Sequence, residues 1–361
     1  MKTGLTLQQM GLELQRQKDA KADYLVNTGK LAMEGGDGIF ARILNDQGVD
    51  EIEPLEMLPT AHSQIGTYLG IPSKYYDKML AEDTDLLAYN INRWFQKNPE
   101  QRMLRTMDGH IRAFLSNRYR RIDNLDVMTA TLPILAEIPD ARFESCNLSD
   151  DYLFIKVVNP RLQAEVVPGD IVQAGIVISN SETGLGAVNI QPLVYRLVCK
   201  NGMVVNAART RRHHVGRVAS AEENFSIYRE ETLAADDKAF IMKIQDAVRA
   251  AVDEAKFSMV VDAMRESTGV KLSTKDLPGL VKMAGSEMGI TEAERAGVLQ
   301  HLIEGHDFTL YGLANAVTRY SQDVEDYDRA TKLEEIGYSV LTMHPALIAR
   351  LNQLEPMALA A

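Results

Sequence analysis

The spacing of apolar and polar residues changes twice along the chain. From about residue 60, apolar residues recur at helical spacing, and turn signals divide this stretch into short helices that end near Asn98-Pro99. Alternating runs then dominate to about residue 208, and this pattern predicts β-strands. From about residue 220 the spacing is helical again. Residues 237–266 predict the longest helix, because few helix-breaking residues interrupt them.

Two short turns predict how the strands pair. Asp108-Gly109 separates two alternating runs, and Asn201-Gly202 follows the run that ends at Cys199. Because these residues tolerate positive φ, the flanking strands form antiparallel hairpins. Alternation in the first hairpin predicts that Arg102 and Arg112 share one sheet face. The chain therefore predicts an α+β fold: a central antiparallel β-sheet with a short N-terminal helical region and an α-helical C-terminal region.

The length of 361 residues is long for one hydrophobic core and predicts two or three subdomains. Residues 1–55 predict a peripheral segment, because a Gly-rich turn at 35–38 is followed by an acidic run. Residues 56–220 predict the α+β core with its basic segments, and residues 221–361 a helical C-terminal region.

Composition limits the class of protein. Hydrophobic residues make up 45% of the chain, yet no apolar run is long enough to cross a membrane. The first 30 residues are polar and resemble no secretory signal. Two cysteines, Cys146 and Cys199, are too few for a disulfide framework or a cysteine-based zinc site. We therefore expect a cytoplasmic protein that does not associate with membranes.

The charge is unevenly distributed. The whole chain has a formal net charge of -11, but residues 93–121 contain eight Arg or Lys against two acids. Residues 183–221 contain six Arg or Lys and no acid. Both segments also contain aromatic residues, and this mixture suits phosphate neutralisation and base stacking on single-stranded nucleic acid. The distribution predicts a local anion site on an otherwise acidic protein.

Residues 112–124 (RAFLSNRYRRIDN) are the most suggestive stretch, since they leave a strand and enter a turn before a helix. Guanidinium groups donate forked hydrogen bonds to phosphate oxygens, and backbone N–H groups at a helix start favour anions. We expect phosphate contacts from four arginines and base stacking on Tyr119. The arginines are Arg112, Arg118, Arg120 and Arg121. The alternative is that they pair with carboxylates of the chain itself.

A second basic cluster follows a strand, and its expected nucleic-acid contacts are Arg209, Arg211, Arg212 and His213. Trp94 is a further candidate for base stacking. A metal site at His213-His214 is not expected, because adjacent residues of a strand point to opposite faces. No catalytic motif and no nucleotide-binding loop is recognised, so we expect neither metal nor cofactor.

Several stretches resemble one family. They are residues 112–124, 195–203 (YRLVCKNGM) followed by 213–216, and 310–320 (LYGLANAVTRY) followed by 328–330. Together they resemble the phage/plasmid-like proteins filed as domain of unknown function 932, over roughly residues 35–340. The resemblance implies an origin in phages, prophages or plasmids, and it transfers no catalytic residues.

These observations lead to a functional expectation. We expect a mobile-element protein that binds and anneals single-stranded DNA in homologous recombination and assembles into homo-oligomeric rings or filaments. One alternative is an anti-defence protein that binds a host protein through its acidic surface, around residues 323–328. Another is a nucleic-acid-processing enzyme with His213, His214, Asn201 and Asn206 at its site.

Overall fold

A computed structural model describes residues 1–205, 210–212, 230–251, 253–273 and 276–354. The helices within these ranges are α1 (Leu7–Ala20), α2 (Pro59–Leu69), α3 (Ser73–Glu82), α4 (Thr84–Lys97), α5 (Asn124–Ala136), α6 (Glu230–Ala251), α7 (Glu254–Thr268), α8 (Leu277–Met288), α9 (Glu292–Gly305), α10 (Leu310–Tyr320), α11 (Tyr327–Leu341) and α12 (Pro345–Asn352). The strands are β1 (Lys21–Asn27), β2 (Leu31–Gly35), β3 (Ile39–Ile43), β4 (Leu55–Met57), β5 (Gln101–Met107), β6 (His110–Ser116), β7 (Arg142–Leu148), β8 (Leu153–Glu165), β9 (Ile171–Asn180), β10 (Val188–Arg196), β11 (Asn201–Val204) and β12 (Thr210–Arg212). The α+β class with C-terminal helices is confirmed.

The strands form two sheets rather than one central sheet. The N-terminal sheet has the order β1-β5-β6-β4-β3-β2, and the second sheet has the order β11-β10-β9-β8-β7 with β12 also paired to β10. Pairing is antiparallel except between β4 and β6. The predicted turn at Asp108-Gly109 is present, with φ of 52° and 78°, and it joins β5 to β6.

Residues 1–55 are not a peripheral segment. They contribute α1, whose Met10 and Leu14 are buried, and three strands of the N-terminal sheet. Because β1 pairs with β5, the boundary predicted at residue 55 passes through one sheet. In β3, the buried positions Ile39, Ala41 and Ile43 alternate with half-buried ones, which is the pattern of a strand with one covered face.

Each sheet is covered by helices. The N-terminal sheet packs one face against α2, α3 and α4, in a core that includes Ile65, Phe95 and Phe114. The second sheet packs one face against α1, α5 and α6, and a separate core joins this sheet to the helices from α7 onward. Several apolar layers therefore stabilise the fold.

The long helix predicted over 237–266 is divided in two. Helix α6 ends at Ala251, and Asp253 caps α7 by accepting a hydrogen bond from the Lys256 backbone N–H. A side-chain carboxylate in this position satisfies an N–H that has no partner within the helix. No helix within the described ranges is both long and apolar enough to cross a membrane.

Candidate nucleic-acid interface

A buried carboxylate lies where the two sheets meet. Glu182 belongs to the loop between β9 and β10 and is 1% exposed. Its carboxylate accepts hydrogen bonds from Lys21 Nζ at 2.5 Å, from Arg112 Nη1 at 3.0 Å and from the Asn124 backbone N–H at 2.6 Å. Two strands of the N-terminal sheet and the first residue of α5 thus bind one side chain of the second sheet's loop.

Arg105 extends this contact with a second set of charges. It donates to the backbone carbonyl of Glu182 at 3.1 Å, to Asp23 at 3.1 Å and to Asp123 at 2.5 Å. The Arg105 side chain is only 2% exposed. We name the group the Glu182 cluster, and its members are Glu182, Lys21, Asp23, Arg105, Arg112 and Asp123.

Opposite charges compensate for burial in this cluster. Burial alone raises the pKa of the Glu182 carboxyl, but Lys21 and Arg112 outweigh it and hold the pKa below its ordinary value. Burial likewise opposes ionisation of Asp123, and Arg105 with Lys21 lowers its pKa. Both carboxylates are therefore charged at neutral pH.

The Glu182 cluster corrects two predicted contacts. Arg112 is 3% exposed and bound to Glu182, so it is unavailable to a phosphate. The Tyr119 hydroxyl donates to the backbone carbonyl of Ser181, and burial raises its pKa. The anion site expected at the start of α5 is present, but the anion is the chain's own Glu182. For Arg112, the pairing alternative is correct.

Arg102 and Arg112 also fail to share a face. The Arg102 guanidinium lies 3.8 Å from the ring centroid of Tyr68, on the side covered by α2, whereas Arg112 reaches Glu182 on the other side. The register of β5 and β6 shifts between Arg105 and Thr106. A β-bulge of this kind reverses the alternation that the sequence predicted.

The rest of the stretch remains accessible. Arg118 is exposed and has no hydrogen-bonded or ionic partner among the described residues. The Arg121 side chain is 60% exposed, with one long contact to Asp23 at 3.5 Å. The Arg120 guanidinium lies 4.5 Å from the ring centroid of Phe240 on α6.

Arg120 and Arg121 border a groove between the 117–122 loop, α5 and α6, and Arg118 lies two residues before Arg120 in the same loop. Its volume is about 450 Å³, and Arg120, Arg121 and Phe240 lie on its wall. Ile241 and Ala130 add apolar surface, and Asp126 contributes a carboxylate to the wall. Together with the adjacent Arg118, we name this feature the Arg118–Arg121 groove.

The other predicted contacts lie elsewhere. Trp94 is 42% exposed on α4, whose buried side packs on the N-terminal sheet. Arg211 and Arg212 lie in β12, where Arg211 is in register with Asn189 of β10. Arg209 and His213 lie outside the described residues. Within the described ranges, no group of His, Cys, Asp or Glu is placed to hold a metal ion.

Comparison with known families agrees with the sequence pattern. The model of a family described as Domain of unknown function (DUF932) matches residues 113–337, more than half of the chain. The chain belongs to this family. Comparison with curated proteins and with solved structures found no match.

Two further stretches of the DUF932 resemblance meet around one ion pair. Arg196 donates two hydrogen bonds of 2.7 Å to Asp170, and the Tyr311 hydroxyl donates to the same carboxylate at 2.8 Å. Asn201 is 2% exposed and donates to the Thr318 hydroxyl. These residues join β10 and β11 to α10. Asn201 thus contributes to the contact between β11 and α10.

The acidic stretch 323–328 makes internal contacts. Asp323 lies 2.5 Å from His301, Asp326 caps α11, and Asp328 accepts a hydrogen bond from the Ser149 hydroxyl. Three of the four carboxylates are thus engaged within the fold. Asp323, Glu325 and Asp326 nevertheless remain exposed at the surface.

Glu182 is the residue that sequence reasoning missed. The loop at 181–186 has neither a catalytic motif nor a nucleotide-binding motif, so its sequence indicates no role for Glu182. One signal was present: Glu182 is the last acid before the acid-free stretch 183–221. Local sequence does not indicate that Lys21, 161 residues away, reaches this carboxylate.

Proposed function

We propose that this protein binds single-stranded nucleic acid in the Arg118–Arg121 groove and acts as a strand-annealing protein of a mobile element. The observation that carries the proposal is the groove itself. It combines exposed guanidinium groups with an aromatic wall on a protein whose net charge is -11. Local positive charge attracts phosphates even when the whole protein is acidic.

The groove offers both kinds of contact that a single strand requires. Arg118 and Arg121 project towards solvent and suit phosphate oxygens, which accept forked hydrogen bonds from guanidinium groups. Arg120 already lies over the Phe240 ring, and a base extends such a stack. A volume of about 450 Å³ accommodates one base with its sugar.

The Glu182 cluster supports the groove from behind. Tyr119 and Asp123 are both bound into the core, at either side of the pair Arg120-Arg121. A loop held at both ends presents its arginines with little loss of conformational entropy on binding. Annealing itself needs no nucleotide or metal, because base pairing drives it.

The test is a double charge reversal, Arg118→Glu with Arg121→Glu. These two residues are chosen because they are exposed, so the change spares the contact between Arg120 and Phe240. The matched control is Arg161→Glu with Arg350→Glu, which changes the net charge equally at side chains 64% and 60% exposed.

Binding of a labelled single-stranded oligonucleotide is measured across a salt series. We expect the groove variant to lose at least about tenfold in affinity, and the salt slope to become shallower by about 1.4, as expected for two lost phosphate contacts. The control variant should keep the affinity and the salt slope of the wild type. Equal losses in the two variants would place binding outside the groove. Annealing of complementary labelled strands, with the mass of the assembly, tests the annealing and oligomer parts of the proposal.

A further inference from the structure

Helix α4 carries an exposed stripe of aromatic and basic side chains. Its members are Leu86, Tyr89, Arg93, Trp94 and Lys97, and we name it the α4 stripe. Tyr89 is 66% exposed, Trp94 42% and Leu86 40%. Leu86, Tyr89, Arg93 and Lys97 recur at intervals of three and four residues, and Trp94 lies three residues before Lys97, so the five positions lie on one side of the helix.

The opposite side of α4 fixes this orientation. Leu87, Ile91 and Phe95 are fully buried against the N-terminal sheet. Asn92 donates to the Met33 carbonyl and accepts from the Met33 N–H, both at 2.8 Å, so the helix is also tied to the edge strand β2. The stripe therefore points away from the fold.

The chemistry of the stripe favours a nucleic-acid strand over a protein partner. It contains two cations and no acid, and the nearest carboxylate on the helix is Asp85 in the first turn. Lys97 Nζ lies 4.7 Å from the ring centroid of Trp94, which places a positive charge beside an exposed aromatic face. Aromatic rings beside cations stack bases and neutralise phosphates without regard to sequence.

The stripe and the groove lie on opposite faces of the N-terminal sheet. In β6, Phe114 packs with Phe95 of α4, while the adjacent Leu115 packs with Tyr119 on the other face. A sheet and a helix layer, each about 10 Å thick, separate the two surfaces. Two different strands, rather than one short segment, fit such an arrangement.

We propose that the α4 stripe is a second single-strand surface, so that one molecule holds two strands at once. The inference rests on the proposed function and deepens it, because annealing requires two strands in one complex. The groove holds the first strand mainly through phosphates. The stripe holds the second mainly through stacking on Tyr89 and Trp94.

The test measures recruitment of a second strand. The protein is first saturated with one labelled oligonucleotide, and a non-complementary oligonucleotide with a second label is then titrated while energy transfer is recorded. The variant is Tyr89→Ala with Trp94→Ala. The control is Met259→Ala with Phe308→Ala, at apolar side chains 72% and 39% exposed elsewhere on the surface.

We expect the stripe variant to bind the first strand within about twofold of the wild type and to lose at least about tenfold in affinity for the second, since two stacking side chains are removed. The control should retain both. Unchanged recruitment in the stripe variant would overturn the inference and indicate that another partner, such as a protein, uses this surface. Loss of first-strand binding in that variant would also overturn it, because the stripe would then be the primary site.

A wild type that binds the first strand but recruits no second also refutes the two-surface arrangement, while the proposed function stands. A wild type that binds no strand refutes both. The measurement thus distinguishes failure of the inference from failure of the function on which it rests.

Discussion

Replacing Glu182 with Gln tests whether the Glu182 cluster stabilises the junction between the two sheets. The carboxylate is 1% exposed and binds Lys21 and Arg112, which are themselves almost fully covered. The amide has nearly the same shape but no charge. The substitution therefore leaves Lys21 and Arg112 buried without the carboxylate that compensates their positive charges.

The expected magnitude follows from burial. Removing one partner of a buried ion pair costs about 3–5 kcal/mol, because the remaining charge is left uncompensated. Gln retains an oxygen that accepts from the Asn124 N–H, and Lys21 also lies 3.9 Å from Asp123. We therefore expect a loss near the lower end, about 3 kcal/mol, in the free energy of unfolding.

Urea unfolding at pH 7.5 measures this change. The chain's single tryptophan, Trp94, lies on α4, whose opposite side packs against the N-terminal sheet, and its fluorescence reports unfolding of this helix and sheet. The matched control is Asp46→Asn, which also removes a carboxylate from a Lys pair, with Lys30 at 2.7 Å, but on a side chain 85% exposed. The control should remain close to wild type, because solvent screens exposed pairs.

The effect should also depend on pH. The pKa of the folded Glu182 carboxyl lies below its ordinary value, so its contribution is complete above the unfolded pKa and is lost as pH falls through the folded pKa. The difference in the free energy of unfolding between the wild type and Glu182→Gln should therefore decrease below about pH 4. A variant within about 0.5 kcal/mol of wild type at pH 7.5 would refute the structural role of the cluster.

Three further predictions concern other parts of the fold. Cys199, which is half-buried, should react with an aromatic disulfide reagent in the native protein; Cys146, fully buried with a thiol pKa raised by burial to about 11, should react only after unfolding. Gly312→Ala should destabilise the protein by about 1–3 kcal/mol, because a Cβ there meets a loop carbonyl, whereas Gly305→Ala, with open space around it, should be near neutral in the same urea titration. Burial raises the pKa of Asp328 to about 6, so the contribution of this carboxyl to stability should fall as pH rises from about 4 to 6. In thermal melts across that range, the wild type should therefore lose stability relative to Asp328→Asn, and a constant difference between the two proteins would contradict the prediction.

Local patterns predicted the parts of the fold that local physics determines. The Asp108-Gly109 hairpin and the short helices over 59–97 depend on turn chemistry and helical periodicity, and the structure has both. The prediction for the first 55 residues is wrong because the Gly-rich turn at 35–38 joins two paired strands, β2 and β3. Only pairing with β5, about 80 residues later, places β1 in a sheet.

The Glu182 cluster also shows that local sequence does not predict contacts between residues that are distant along the chain. The sequence indicated an anion site near residues 112–124, and the structure places a carboxylate there. The identity of that anion could not be predicted, because Glu182 approaches through tertiary contacts alone. Within one short stretch, Arg118 and Arg121 are exposed whereas Arg112 is buried. Local sequence does not indicate which of these arginines is buried.

The measurement that tests the central claim most directly is fluorescence anisotropy of the wild type with labelled single-stranded and double-stranded DNA across a salt series. The account predicts preferential binding of the single strand, with affinity that falls steeply as salt rises. Absence of binding to either form, or an affinity that does not change with salt, would contradict it.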